Sequence, residues 1–123
     1  MSVILIVDQD PLVRKTLLGF LHDLECKVIE ASSIDEAAAT VYSEKPDLLI
    51  TNLFLPDRDG LVFIRKLTTE LPGMGIIALD QESEGDKTSY GGLALACGAS
   101  AVLTKPILKI DFVTAIRDLL GTL

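Results

Sequence analysis

Near its amino terminus the chain reads Val3-Ile4-Leu5-Ile6-Val7-Asp8-Gln9-Asp10-Pro11. The apolar residues at the front of this segment form an unbroken run, which is typical of a strand buried on both faces. Asp10 followed by Pro11 is typical of a helix start, with the aspartate as N-cap and proline at the first helical position. The segment therefore predicts a buried strand that leads through an acidic turn into a helix.

The same alternation of strand and helix signals continues along the chain. Further apolar runs that predict strands lie at Val28 to Ala31 after Cys26-Lys27, Leu48 to Ile50, Ile76 to Leu79, and Ala101 to Leu103. Segments of helical length with apolar residues at helical spacing separate them. Because parallel strands need such crossovers, the alternation predicts a doubly wound α/β fold with a five-stranded parallel sheet and five helices.

Helix boundaries have signals of their own. Ser33 with Glu36 forms a capping box at the start of the second helix. The expected helix ends are Pro46 for the second, Pro72 for the third and Gly98 for the fourth, and the fifth helix is predicted over Asp111 to Leu120.

Composition sets limits on partners and location. At 123 residues the chain has the size of one domain, so residues 1–123 are assigned to a single domain. A formal charge of -7 argues against direct binding to nucleic acid or to anionic membranes, and no apolar stretch approaches the roughly 20 residues of a membrane span. Cys26 and Cys97 lack metal-ligand spacing and are interpreted as small buried apolar residues, which favours a reducing, cytoplasmic location.

Polar residues stand at or just beyond the ends of four predicted strands, namely Asp8-Gln9, Asn52, Asp80 and Lys105. Ligands of open parallel sheets bind at the carboxyl ends of the strands, so these residues define the candidate site. The turn after the first strand lacks a Gly/Ser/Thr loop that would cradle a phosphate, which argues against a flavodoxin-like electron carrier.

Four motifs carry a family resemblance: Ile4 to Pro11, Pro46 to Asn52, Leu55 to Gly60, and Gly98-Ala99 followed by Lys105-Pro106. In this order and at these spacings they resemble the receiver domain of two-component response regulators over essentially the whole chain. The resemblance implies a flavodoxin-like strand order 2-1-3-4-5 and a role in phosphorelay signal transduction. It also implies that an acidic pair and a backbone carbonyl hold Mg²⁺, that an aspartate ending strand three is phosphorylated, and that a Thr or Ser and a lysine grip the phosphoryl oxygens.

The chain departs from this pattern at the metal and acceptor positions. Asp8 matches the first acid and Phe54 the backbone carbonyl, but Gln9 replaces the second acid and Asn52 stands at the acceptor position. Mg²⁺ prefers anionic oxygen, so the two neutral amides predict a weak Mg²⁺ site or none. An amide would not form a normal acyl phosphate, so no phosphorylation is expected at Asn52.

The switch positions depart as well. Asp80 stands where the family has its hydroxyl residue, although a one-residue slip would place Leu79 there, and Val102 stands where an aromatic residue is expected. Lys105 matches the phosphate-gripping lysine. With fewer carboxylates to offset, we expect a pocket closed by its own hydrogen bonds, in which Lys105 reaches Asp8 or Asp80.

These features lead to the hypothesis of a non-enzymatic pseudo-receiver that needs no cofactor and acts by phosphorylation-independent protein-protein interaction. The expected partners are other signalling proteins or an output domain, with a homodimer through helix 4, strand 5 and helix 5 as a further option. Two alternatives stay open. One is an ordinary phospho-accepting regulator whose acceptor aspartate was mutated to Asn52, and the other is a pocket that binds a metal or small ligand through Asp8 and Asp80.

Two loops complete the expectations. The stretch from Asp80 to Gly98 is longer than the family usually has, and its polar residues Glu82 to Lys87 with Gly91-Gly92 predict a mobile or remodelled face. Each glycine lowers helical propensity by about 1 kcal/mol relative to alanine. Asp57 and Asp59-Gly60 are predicted to serve the turn before helix three and the capping of that helix.

Overall fold

A computed structural model of the chain describes residues 1–57, 59–81 and 90–121. Within these residues the strands are β1 (Ser2–Val7), β2 (Cys26–Ala31), β3 (Leu48–Asn52), β4 (Gly75–Asp80) and β5 (Ala101–Thr104). The helices are α1 (Pro11–Leu21), α2 (Ile34–Glu44), α3 (Gly60–Glu70), α4 (Tyr90–Cys97) and α5 (Lys109–Leu120). The strands pair in parallel in the order β2-β1-β3-β4-β5. The predicted doubly wound α/β fold and its strand order are confirmed.

Apolar layers cover both faces of the sheet. Successive residues of a strand point to opposite faces, so β1 sends Leu5 and Val7 into one layer and Ile4 and Ile6 into the other. Residues of α2, α3 and α4 complete the first layer, and residues of α1 and α5 complete the second. Each fully buried leucine or isoleucine contributes about 1.5–3 kcal/mol. This burial fixes the strand ends and therefore the polar residues that follow them.

The capping box predicted for α2 is only half formed. Ser33 Oγ accepts a hydrogen bond from the Glu36 backbone N–H at 3.2 Å, as predicted. The Glu36 carboxylate, however, accepts from the Ser32 hydroxyl at 2.9 Å and from the Ser32 backbone N–H at 3.4 Å. Because two serines stand in a row, the carboxylate bonds the residue upstream of the cap.

The helix ends follow the predicted signals, with one exception. α2 and α3 end at Glu44 and Glu70, shortly before their prolines. α4 ends before Gly98, whose φ of 115° is left-handed and whose missing Cβ would collide with the side chain of Thr68. α5 begins at Lys109, two residues before the predicted Asp111, since its N-cap is an apolar residue without a side-chain cap bond and leaves no sequence signal.

The two cysteines are free thiols. Both are half-buried, whereas the sequence predicts buried residues. Cys97 packs against the first core layer and Cys26 against the second, where burial raises the pKa of the Cys26 thiol. None of the described helices is long and apolar enough to cross a bilayer. A reducing, cytoplasmic location stays a prediction, and the polar segment Glu82 to Lys87 lies outside the described residues.

Candidate functional site

The polar residues singled out by the sequence meet at one edge of the sheet. β1 ends at Val7 beside Thr51, so that Asp8 and Asn52 follow side by side, and Asp80 on β4 stands opposite Thr104, the residue before Lys105. Asp8 and Asn52 are fully buried or nearly so, and Asp80 is 9% exposed. The structure therefore brings these strand ends together at one edge of the sheet, and their role as a functional site stays a prediction.

Asp8 and Lys105 form an ion pair at the centre of this edge. Lys105 Nζ donates to Asp8 Oδ2 at 2.8 Å, and the carboxylate is completely buried whereas the lysine side chain is 21% exposed. The other carboxylate oxygen, Oδ1, accepts from the Asp10 backbone N–H at 2.9 Å. Of the two partners predicted for Lys105, the structure therefore selects Asp8. Both oxygens of Asp8 have partners within the protein.

Asn52 turns its amide nitrogen toward the chain that follows it. Its Nδ2 donates to the Phe54 carbonyl at 2.9 Å, whereas its Oδ1 is buried and accepts no hydrogen bond among the described residues. Flipping the amide would set two carbonyl oxygens against each other, so this orientation is the favourable one. The Phe54 carbonyl, which is predicted as a metal ligand, therefore already accepts a hydrogen bond from a side chain of the protein.

The residues at this edge do not fit Mg²⁺. Among the residues predicted to surround the metal, Asp8 supplies the one carboxylate. That carboxylate is already paired with the Lys105 ammonium group. The Phe54 carbonyl accepts from Asn52, and no three His, Cys, Asp or Glu residues in the described ranges are grouped as a metal site would require. Mg²⁺ sheds water reluctantly and needs anionic oxygen, so it would have to displace these internal bonds.

Asp80 faces α4 and not Lys105. Its Oδ1 accepts from the Gln81 backbone N–H at 2.9 Å, and its Oδ2 accepts from the Gly91 backbone N–H at 3.1 Å. Leu79 points into the opposite core layer and is fully buried, so Asp80, and not Leu79, lies on the side of β4 that α4 covers. An alternative ligand site on Asp8 and Asp80 would have to break the internal bonds of both carboxylates.

Gln9 and Val102 contribute differently from the four central residues. Gln9 is exposed, and no hydrogen bond of its side chain is found among the described residues. Val102 is half-buried and packs against the core layer that includes α4. The structure thus brings Asp8, Asn52, Asp80 and Lys105 to one edge and leaves Gln9 facing solvent.

Contacts that the sequence does not signal complete the site. Arg14 donates to the Asp8 backbone carbonyl at 2.6 Å and pairs with Glu30 at 3.2 Å, which ties α1 to the ends of β1 and β2. The rings of Phe54 and Tyr90 meet edge to face, with centroids 5.0 Å apart and planes at 84°. Phe54 lies in the loop after β3 and Tyr90 lies in α4, far away in sequence. No sequence pattern links the two positions, so the contact is not predicted.

The loop between β3 and α3 has two structural aspartates. Asp59 caps α3 through the Leu61 N–H, as predicted. Asp57 instead accepts from the N–H groups of Ile34 and Asp35, which are 23 and 22 residues away, and so caps α2 across the loop. The sequence places Asp57 in the turn before α3 but does not predict this cap of α2. A partner so distant in sequence leaves no local signal.

Comparison with known proteins gives a consistent set of matches. A family model described as the response regulator receiver domain matches residues 4–117. The KDP operon transcriptional regulatory protein KdpE of Escherichia coli is 36% identical over 107 residues, which cover 86% of this chain and 45% of that protein. A protein-glutamate methylesterase/protein-glutamine glutaminase of Xanthomonas euvesicatoria is 32% identical over 117 residues, which cover 93% of this chain and 33% of that protein.

Comparison with solved structures also identifies response regulators as similar to this chain. A two-component response regulator from Clostridium difficile has a TM-score of 0.86 at 25% identity, with 98% of this chain and 96% of that chain covered. The chain spans less than half the length of the two curated relatives, 45% and 33% respectively, so the activities of those whole proteins are not carried over to it.

Proposed function

Because the chain belongs to the response regulator receiver domain family, we propose that it is a receiver domain that takes no phosphoryl group at Asn52 and signals through protein contacts. The observation that carries this proposal is the amide of Asn52, which is 1% exposed and donates its N–H to the Phe54 carbonyl. An acyl phosphate needs an attacking carboxylate oxygen. The amide has none, and its nitrogen is already committed as a donor.

The state of Lys105 supports the proposal independently. A lysine that neutralises a phosphoryl group must have its charge available, yet Lys105 contacts a fully buried carboxylate at 2.8 Å. Separating the two would leave the Asp8 charge buried without a counter-ion, which costs several kcal/mol. The pocket is therefore stable as a closed pair, and the domain works in one conformation instead of an equilibrium that phosphorylation shifts.

The surface of α4 supports protein contact as the means of signalling. The helix Tyr90–Cys97 contains no charged residue, and Leu93 and Leu95 are 47% and 51% exposed. A surface helix normally carries polar residues on its outer face. Exposed apolar side chains on an uncharged helix mark a place where a signalling partner or an output domain docks.

Intact mass after incubation with acetyl phosphate and Mg²⁺ tests the proposal. We expect no added phosphoryl group on the native chain, and none on Asn52→Asp, because Gln9 and Asp80 still disfavour metal and phosphoryl binding. The informative comparison is the triple variant Gln9→Asp, Asn52→Asp and Asp80→Thr, which restores the family's residue types. A phosphoryl group on the native chain would contradict the proposal.

A second copy of the chain is a further candidate partner for the α4, β5 and α5 surface. Each copy carries a formal charge of -7, so two copies repel each other least through an uncharged helix. Leu93→Glu is expected to abolish concentration-dependent association in sedimentation, whereas Leu12→Glu on α1, where Leu12 is 71% exposed, leaves it intact. A native chain that is monomeric at every concentration would exclude the homodimer.

A further inference from the structure

We infer that Asn52, Phe54, Asp80 and Tyr90 form a clamp that fixes the first turn of α4 and thereby the position of its apolar face. The inference rests on the proposed function, because it assigns positioning roles to residues at the acceptor and switch positions. The α4 clamp has two contacts, the hydrogen bond from the Gly91 N–H to Asp80 and the ring contact between Phe54 and Tyr90.

The first contact uses the carboxylate that replaces the family's hydroxyl residue. Helix N-termini present N–H groups without intrahelical partners and carry partial positive charge, which a nearby carboxylate satisfies. Asp80 is 9% exposed and has two oxygens, one for the Gln81 N–H and one for the Gly91 N–H. A hydroxyl residue has one side-chain oxygen for the same two donors. The aspartate therefore joins the end of β4 to the start of α4.

The second contact begins at the acceptor position. Asn52 holds the main chain of Phe54 through the hydrogen bond to its carbonyl, at 2.9 Å. The Phe54 ring then meets the Tyr90 ring edge to face, an arrangement that contributes about 0.5–1.5 kcal/mol beyond burial. An amide at position 52 can donate this hydrogen bond, whereas an ionised carboxylate cannot.

Both contacts end on the first two residues of a helix that needs them. Within the described residues α4 comprises eight residues, Tyr90–Cys97, which include two adjacent glycines, Gly91 and Gly92. Isolated helices shorter than about 12–15 residues are marginal in water, and glycine lowers their stability further. The start of α4 is therefore set by the clamp more than by its own sequence. The residues that removed phosphoryl chemistry place the surface proposed to bind a partner.

Amide hydrogen exchange measured by NMR tests the Asp80 contact. Asp80→Ala is expected to speed exchange of the Gly91 amide roughly fivefold, which corresponds to the typical loss of about 1 kcal/mol for a capping side chain. Asp80→Asn, which keeps one acceptor oxygen, is expected to fall between Ala and the native chain. Glu25→Ala is the matched control, since it removes an exposed carboxylate between α1 and β2. Urea unfolding of each variant separates a local change in α4 from a global loss of stability.

Tyrosine signals test the Phe54 contact. The chain has two tyrosines and no tryptophan, so Tyr42→Phe leaves Tyr90 as the single tyrosine. In this background Asn52→Asp is expected to shift the Tyr90 emission and near-ultraviolet dichroism in the same direction as Phe54→Leu. Glu25→Ala should leave both signals unchanged.

Two outcomes overturn the clamp. One is an unchanged Gly91 exchange rate in a folded Asp80→Ala variant, and the other is an unchanged Tyr90 signal in Asn52→Asp when Phe54→Leu alters it. Neither measurement uses a phosphodonor. A chain that accepts no phosphoryl group but shows these unchanged signals keeps the proposed function and loses the clamp, whereas phosphorylation with altered signals does the reverse.

Discussion

The two halves of the site handle buried polar groups in different ways. In the half that leads into α1 and α5, the Asp8 carboxylate meets an opposite charge, the Lys105 ammonium, at 2.8 Å. In the half that faces α4, Asn52 and Asp80 bond to backbone groups of Phe54, Gln81 and Gly91. One half is thus held by an ion pair, and the other half is held by side chains that hydrogen-bond backbone groups.

The difference shows what each substitution from the family pattern can change. In the predicted correspondence Asp8 and Lys105 keep the family's residue types. They depend on each other because a buried charge without its partner is costly. Asn52 and Asp80 are the predicted departures, and their hydrogen bonds end on Phe54 before α3, on Gln81 after β4 and on Gly91 in α4. We therefore expect the half with Asp8 and Lys105 to govern the stability of the domain, and the half with Asn52 and Asp80 to govern where the α4 surface lies.

Breaking the charge pair is expected to have the largest effect. Lys105→Met leaves Asp8 buried without a cation and should lower the free energy of unfolding by about 3 kcal/mol, the low end for a buried pair because the lysine is partly exposed. Urea unfolding measures the loss. Lys109→Met, at an exposed lysine of α5, is the control and should change stability by less than about 0.5 kcal/mol.

The double variant Asp8→Asn with Lys105→Met sharpens the same test. Removing both charges leaves no uncompensated ion, so the double variant should be more stable than Lys105→Met alone. If the two variants unfold at the same urea concentration, the lysine acts by packing and not by charge. The assignment of this half as a charge pair would then be wrong.

The sequence predicts the charge half better than the α4 half. Unbroken apolar runs predict the strands, and the carboxyl ends of parallel strands lie at a common edge, so the placement of Asp8, Asp80 and Lys105 at one edge follows from the pattern alone. Whether the lysine pairs with Asp8 or Asp80 does not follow, because both carboxylates stand at strand ends. The choice depends on the side-chain direction of Asp80, which the structure turns toward Gly91.

The remaining contacts depend on tertiary packing that leaves no local signal. Asp57 caps α2 from a loop 22 and 23 residues away, and Phe54 meets Tyr90 across two loops. Nothing in the residue types of Asp57 and Phe54, or in their immediate neighbours, distinguishes them from other loop residues. Propensity and periodicity describe neighbours along the chain, so they find elements but not the contacts that join loops.

Changing Asn52 is expected to have an intermediate effect and tests the half held by backbone bonds. Asn52→Ala removes the donor to the Phe54 carbonyl and should cost about 1 kcal/mol. Asn52→Asp removes the same donor and adds a buried negative charge near Asp8, so we expect a loss of about 2 kcal/mol. Thermal and urea unfolding rank the two variants. An Asp variant more stable than the Ala variant would show that Lys105 serves both halves.

The smallest effect is expected at an exposed pair far from both halves. Tyr42 and Glu70 lie in the last turns of α2 and α3, and the tyrosine hydroxyl hydrogen-bonds the carboxylate. This bond, with burial and the charge of Glu70 as smaller causes, raises the pKa of the Tyr42 phenol. Tyr42 is 41% exposed, so solvent screens the pair and its contribution to stability is slight.

The sign of the pH dependence follows from the raised pKa. A phenol whose pKa is higher in the folded state contributes stability that is complete below the ordinary tyrosine pKa and is lost as the pH rises through the raised value. In a Tyr90→Phe background, ultraviolet absorbance should show that Glu70→Gln moves the Tyr42 titration to lower pH. Because Asp8 and Lys105 are not involved, Lys105→Met should leave this titration in place as long as the variant is folded. A Tyr42 titration that Glu70→Gln leaves unchanged would contradict the hydrogen bond between Tyr42 and Glu70. The comparison with the buried pair of Asp8 and Lys105 would then lack its exposed counterpart.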